Sequence, residues 1–393
     1  MNRKQLRILF CHWRGWPFGG GEIYLFKLMR ALREQGHRIS FLTQKDALNE
    51  KIGGISWHEI APAPGWRNAK AQWRAICSVL GQETPDVLHL HETNAFLGPY
   101  VVHQLCRRTP SVLTLHFAGA LCLNGTRYLN DGGICRHPVG PRCIRCLSIH
   151  PGRARKMLLQ WLWVNRLKNV RCVTVGSGWL KSFCMRNGFP PEKLFDLAPY
   201  WHEPERGMAR PEKSRDMLFV GRLRDNKGAL HLLYALARLK DLEWRLLIVG
   251  EGEQKDRICD YIRERGLQDR ISLVGTVPNE TIWSYYVRGA FLVFPSLFPE
   301  TFGIAGTEAM SAGLPVIAYD AGGISDWLVH GRNGLMVHRG DVQGLSQAIR
   351  QLLENPGLRQ SMGRTAHEDM SSRYSRSSHI RQLYNIYEKA LVR

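Results

Sequence analysis

Between Ala290 and Tyr319 the sequence runs apolar, polar, helical and apolar again, an order that few architectures accept. Ala290 to Pro295 and Leu314 to Tyr319 read as buried strands, and the segment between them as a helix beginning near Gly303. A strand, a loop, a helix and a second strand in succession make a crossover, so the strands are parallel and the loop lies at their carboxyl end. Open α/β sheets bind ligands there.

The same rhythm fills the chain in two series. The first has strands at Arg7 to His12, Arg38 to Thr43, Asp86 to His91, Ser111 to His116 and Cys172 to Val175. Helices at Glu22 to Gln35, Trp66 to Gly81, Gly152 to Asn169 and Gly178 to Asn187 alternate with them. The second has strands at Met217 to Val220, Trp244 to Val249 and Ile271 to Val274 besides the two above, with helices at Ala229 to Leu239, Gln254 to Arg265 and Glu280 to Val287. Asp341 to Glu354 and Ser377 to Val392 read as closing helices. The polar stretch WHEPERGMARPEKSRD, Trp201 to Asp216, separates the series. The expected class is α/β, with two Rossmann-like doubly wound domains at 1–200 and 217–370, a linker at 201–216 and a C-terminal helix within 371–393.

With 54 basic and 34 acidic residues the chain carries a net charge of +20, unevenly spread. Residues 1–205 hold 28 basic and 13 acidic side chains, so the first half faces something negative: a phospholipid surface, a pyrophosphate-linked substrate or nucleic acid. No nucleic-acid-binding module is present, which argues against the last. The start, MNRKQLRILFCHWRGW, lacks the apolar run of a secretory signal, and no run reaches membrane-spanning length. The expected place is the cytoplasm, or the inner face of the cytoplasmic membrane. Arg153, Arg155, Lys156, Arg166 and Lys168 around Trp161 and Trp163 make Gly152 to Asn169 either a core-packing helix or one that rests on anionic lipid.

Glu300 lies in the loop that opens the helix near Gly303, and Glu308 eight positions on within it. Backbone N–H groups of Phe302, Gly303 and Ile304 at that helix start suit an anion. Carboxylates repel phosphate, so Glu308 is assigned to a ribose diol and Glu300 to a transferred sugar, the parts of a sugar nucleotide. Solvated helix-end charge is the plainer alternative. After Met217 to Val220 comes GRLRDNKG, in which Arg222 can grip a phosphate in two parallel bonds and Lys227 adds a mobile charge. The run Gly19-Gly20-Gly21 lets backbone approach a ligand or simply makes a tight turn. His91 and His116, each ending a strand, face a cleft or serve as structural histidines.

Taken in order, Gly19-Gly20-Gly21, GRLRDNKG, GEG at Gly250 to Gly252 and PETFGIAGTEAMSAGLPVIA resemble the retaining glycosyltransferases of family four, across essentially the whole chain. The resemblance implies the GT-B fold, with two domains facing across a cleft. It implies that Arg222 and Lys227 hold the donor diphosphate, that Glu300 and Glu308 bond donor sugar and ribose, and that His116 contacts the transferred sugar. Backbone near Thr276 and Val277 would meet the base, and Gly20 and Gly21 would approach phosphate. The implied activity is retaining transfer of a hexose-type sugar from a nucleotide diphosphate to a glycan or lipid-linked glycan in surface polysaccharide biosynthesis. Alternatives are a same-fold synthase making a soluble glycoside or sugar phosphate, and an idle sugar-nucleotide-binding subunit. No Asp-any-Asp triplet occurs, so no catalytic metal is expected. The family's shorter members follow the strand-ending histidine with an acidic residue, whereas Phe117 stands here.

Within residues 117–150, Cys122, Cys135, Cys143 and Cys146 form a cluster whose last pair has zinc-knuckle spacing. A structural zinc would order a loop rich in Gly, Asn and Pro; an iron–sulfur cluster or free thiols are the alternatives.

Overall fold

The structure, a computed structural model, describes residues 5–62, 68–93, 96–123, 125, 133–146, 152–201, 203 and 214–392. Most of the expected linker lies outside these residues. The chain divides into two compact units: Met1–Leu129, Cys135–Pro199 and Ile380–Arg393 form the first, and Asn130–Ile134 with Tyr200–His379 the second.

Among the described residues the first unit holds a parallel sheet of seven strands: β1 (Arg7–His12), β2 (Arg38–Gln44), β3 (Ser56–Ile60), β4 (Val87–His91), β5 (Ser111–Leu115), β6 (Cys172–Val175) and β7 (Leu194–Asp196). Their order is β3-β2-β1-β4-β5-β6-β7. Helices α1 (Gly20–Glu34), α2 (Ala69–Glu83), α3 (Pro99–Arg108), α4 (Arg153–Leu167) and α5 (Gly178–Arg186) join them. β4 and β5 are buried along their whole length, which is why they read as continuous apolar runs. In α4 Trp163, Val164 and Leu167 enter the core, as a core-packing helix requires, whereas Leu158 and Trp161 are 51% and 45% exposed.

Among its described residues the second unit has six parallel strands in the order β10-β9-β8-β11-β12-β13: β8 (Asp216–Val220), β9 (Arg245–Val249), β10 (Ile271–Gly275), β11 (Phe291–Phe294), β12 (Val316–Tyr319) and β13 (Gly334–Val337). Its helices are α6 (Ala229–Leu236), α7 (Lys255–Glu264), α8 (Asn279–Arg288), α9 (Ile304–Ser311), α10 (Val342–Glu354) and α11 (Pro356–Arg373). The last helix, α12 (Arg376–Val392), returns to the first unit, where Tyr387 OH bonds His89 Nδ1 at 2.8 Å and Tyr384 OH donates to Gln35 Oε1 at 2.9 Å.

Strand order reverses between β1 and β4 in one unit and between β8 and β11 in the other. Each such switch point leaves a crevice at the carboxyl ends of the flanking strands.

Candidate active site

In the second unit β8 feeds the loop Gly221 to Gly228, and β11 feeds the loop that ends at Gly303. The two loops are sewn together by the Asn226 carbonyl, which accepts from the N–H of Leu297 (2.9 Å) and the N–H of Phe298 (3.1 Å). Gly228 is left-handed at φ 74°, and a Cβ there would lie 1.9 Å from the Pro295 carbonyl oxygen, so glycine is what lets the loops close.

The closure places Lys227 Nζ 2.5 Å from Glu300 Oε1, and Ser296 Oγ donates to the same oxygen at 2.7 Å. Glu300 is buried, with its backbone fixed on both sides: its N–H donates to the Ala321 carbonyl and its carbonyl accepts from the N–H of Gly323. Arg222 is exposed in the same loop as Lys227. Gly303 caps α9 in the left-handed region. The Phe302 side chain is buried, edge-on to Tyr374 at 5.6 Å, so this residue can serve a ligand only through its backbone. Ile304 is half-buried at the helix start. Glu308, on α9, accepts from the buried Tyr286 hydroxyl at 3.1 Å. Burial, then the neighbouring Glu308 charge, pushes the Tyr286 phenol well up, so it is the donor at neutral pH. Exposed Thr276 and half-buried Val277 follow β10.

In the first unit three histidines gather where β1, β4 and β5 end. His12 and His91 are partners in the sheet register, and the His12 Nδ1–H donates to the His91 carbonyl at 2.6 Å. His116, one residue past β5, has Nε2 2.7 Å from His91 Nδ1. A Cβ on Gly21 would stand 3.1 Å from the His116 ring, so the start of α1 packs directly on the imidazole. Glu22, in the first turn of α1, has Oε1 3.5 Å from His12 Nε2 and 3.7 Å from Arg14 Nη1. Buried Glu92 takes the backbone N–H groups of His116 and Phe117 and holds φ at 47°, an unusual value for a side chain of its kind.

Burial sets the protonation of this cluster. It carries His116 down to about 3, with His12 adding to the effect, and His91 well below the usual imidazole range, helped by His89, His116 and His12. Burial and the Glu22 charge hold Glu92 well above the usual carboxyl range. For Glu22 burial pushes up, but His12 beside it prevails and the carboxyl ends below its ordinary value.

A sucrose-phosphate synthase from Thermosynechococcus elongatus superposes with a TM-score of 0.75 at 20% identity, covering 98% of this chain and 99% of its own. HepE of Anabaena, solved with UDP and glucose, gives 0.74 at 18% identity over 97% and 99% of the two chains. Residues 204–369 match the family described as glycosyl transferases group 1, and residues 18–195 the one described as Glycosyltransferase Family 4. The chain belongs to the family 4-type GT-B glycosyltransferases. Along its whole length this glycosyltransferase is 25% identical to an uncharacterized glycosyltransferase of Methanocaldococcus jannaschii, covering 98% of this chain and 99% of the relative. A glycogen synthase of Mycobacterium tuberculosis is 31% identical over 199 residues, 50% of this chain and only 46% of the synthase.

Among the described residues Cys122, Cys135, Cys143 and Cys146 form no disulfide, and no three His, Cys, Asp or Glu side chains stand close enough together to hold a metal ion. Cys143 is buried with its Sγ 3.9 Å from the Pro138 carbonyl. Much of the loop that joins the four cysteines lies outside the described residues.

Sequence reasoning passed over Tyr286, Ser296 and Asn226 in the second unit, and His12, Arg14, Glu22 and Glu92 in the first. His12 had a signal, since it ends its strand as His91 does; Glu22 directly follows the glycine run. Tyr286 had none, because a tyrosine within a short helix reads as core.

Proposed function

We propose that this glycosyltransferase is a retaining enzyme that moves a hexose-type sugar from a nucleoside diphosphate to a glycan or lipid-linked glycan in surface polysaccharide biosynthesis. The observation that carries the donor half is the Lys227–Glu300 pair at 2.5 Å, on two loops locked together at the switch point and next to the start of α9. A diphosphate arriving there takes over the Lys227 ammonium, with Arg222 from the same loop and the N–H groups of Phe302, Gly303 and Ile304 as further donors. Glu300 is then released to bond a sugar hydroxyl, and Glu308, fixed by Tyr286, accepts from the ribose. Val277 and the backbone of Thr276 lie against the base. HepE, of the same fold, was solved with UDP and glucose, which supports a uridine nucleotide as the first donor to try. In the first unit His116, with Gly21 packed on its ring, is assigned to the transferred sugar, and the backbone of Gly20 and Gly21 to the phosphate.

In the reaction the bond from the anomeric carbon to the diphosphate oxygen breaks as the acceptor oxygen bonds to the same face. The acceptor proton passes to a diphosphate oxygen. Lys227 and Arg222 stabilise the charge on the departing group, so the protein acts by position and electrostatics. Exposed Trp161 and Leu158, with exposed Arg155, Lys156 and Arg166 on the same helix, support contact with anionic lipid. A structural zinc on Cys122, Cys135, Cys143 and Cys146 is part of the proposal, and elemental analysis of anaerobically purified protein measures whether it is there.

The test screens nucleotide sugars by thermal shift, then measures turnover of Lys227→Ala with the stabilising donor. We expect a donor to raise Tm and the variant to lose at least about 100-fold in kcat/KM with its fold kept. Wild-type turnover in Lys227→Ala would remove the assignment. Failure to sediment with anionic vesicles at low salt would remove the lipid part.

A further inference from the structure

The loop between β1 and α1, HWRGWPFGGGE from His12 to Glu22, combines features that the donor reading does not use. The Arg14 guanidinium lies between two aromatic rings, 3.9 Å from the Trp13 centroid and 4.0 Å from that of Phe18, with Trp16 at 5.4 Å. Phe18 is 54% exposed, among the largest apolar exposures in the described residues. Beside this platform four buried polar atoms have no hydrogen-bond partner: Arg14 Nε, His91 Nε2, Glu92 Oε1 and Thr93 Oγ1. Buried polar atoms are seldom left so, and several together at the carboxyl ends of adjacent strands call for a ligand or water.

We propose that Arg14, Glu22, Glu92 and Phe18 form a subsite for an uncharged pyranose ring of the acceptor, and that a phosphorylated ring is disfavoured there. The inference rests on the chain being a glycosyltransferase with a sugar-bearing acceptor. Three features of the cluster lead to it.

Charge comes first. Arg14 and Glu22 stand 3.7 Å apart and offset each other, with His12 3.5 Å from the same Glu22 oxygen, while burial holds the His91 and His116 imidazoles unprotonated and pushes the Glu92 carboxyl up. An entering phosphate would meet the Glu22 carboxylate, and the Arg14 guanidinium is already engaged with it. Hydrogen-bonding capacity comes second. The cluster offers donors and acceptors mixed, which a hydroxyl can satisfy because it is both, whereas a phosphate oxygen can only accept. Shape comes third. A pyranose has an apolar face of C–H groups beside a rim of hydroxyls, and an exposed aromatic ring next to buried polar atoms matches both. The left-handed backbone of Glu92 fits the same picture, since strain of that kind gathers at ligand sites.

The experiment uses the full chain with UDP present and reads binding by saturation-transfer NMR, with maltose, trehalose and sucrose as probes, each beside its 6-phosphate. We expect at least one of the uncharged sugars to bind saturably and its phosphate about tenfold more weakly. Glu22→Gln and Phe18→Ala should each raise the dissociation constant for that sugar by about fivefold or more, with UDP affinity unchanged. Phe18 is at the surface and Gln is isosteric with Glu, so both variants should keep the wild-type circular dichroism. Tighter binding of the phosphates, no saturable binding of any uncharged sugar, or undiminished binding in both variants would each overturn the subsite. If UDP itself fails to bind, it is the donor reading that falls, and the two failures are told apart.

Discussion

The Tyr286 hydroxyl holds Glu308, the carboxylate proposed for the nucleotide ribose. Its O–H donates to Glu308 Oε2 at 3.1 Å, and burial keeps that proton in place far above neutral pH. The hydroxyl fixes the orientation of the carboxylate that is proposed for the ribose diol. Tyr286→Phe removes only the hydroxyl from a fully buried ring, so the fold should survive, with a loss of about 1 kcal/mol. On the ribose role of Glu308, the dissociation constant for UDP should rise about three- to tenfold in isothermal titration, with kcat for the bound donor changed less. An unchanged UDP affinity would mean that Glu308 is held without help from Tyr286, or lies away from the ribose.

α11 and α9 are the elements that hold Glu308 in place. α11 packs across α9 so closely that a Cβ on Gly363 would lie 2.1 Å from the Gly313 carbonyl oxygen, just past the end of the helix that carries Glu308. Gly363→Ala should therefore push the helices apart, costing about 1–3 kcal/mol despite the better helix propensity of alanine, and lower Tm by several degrees. A rise in Tm, as propensity alone predicts, would show that the contact relaxes freely. The same helix marks where the sequence stopped being legible. The buried face of α11 mixes Met362, Ala366 and Met370 with Arg359 and Asp369, the one bonded to the Leu352 carbonyl at 2.7 Å, the other to Asn333 at 2.8 Å, and only tertiary partners make that acceptable. β3 and β7 were missed because they are edge strands with half-exposed residues, and β13 because it is short and begins with glycine. α3 passed unnoticed between two strands. Central strands were readable to within a residue or two, since burial on both faces leaves an apolar run with little else it could be. That Lys227 and Glu300 meet was readable for a related reason: charges in short loops between such runs have few places to go. The first-unit cluster was only half readable, because His12, Glu22 and Glu92 acquire meaning from strands that are neighbours in space and distant in sequence.

Across the whole molecule, neutral histidines are buried in both units, and they set how stability responds to acid. His116 in the first unit and His379 in the second are each carried by burial to about 3, from an ordinary value of 6.5. Between those values the unfolded chain binds protons that the native state refuses, so stability is complete above about pH 6.5 and is lost as pH falls toward 3. Each group can take away up to about 2 kcal/mol between pH 6.5 and 5, and His91 acts in the same direction. Glu92 opposes them: its proton is retained in the native state, so its unfavourable burial weighs more as pH rises above the ordinary carboxyl range. Three imidazoles against one carboxyl leave acid as the destabilising direction, and the net charge of +20 adds self-repulsion as further sites protonate. Calorimetric scans should therefore show a lower Tm at pH 5 than at pH 7.5. In His379→Asn, which has no imidazole to protonate, Tm should fall less between the two pH values than in the wild type. Equal falls in the two proteins would show that the His379 imidazole takes up its proton without unfolding, and that the buried ring beside Trp201 is better hydrated than its packing allows.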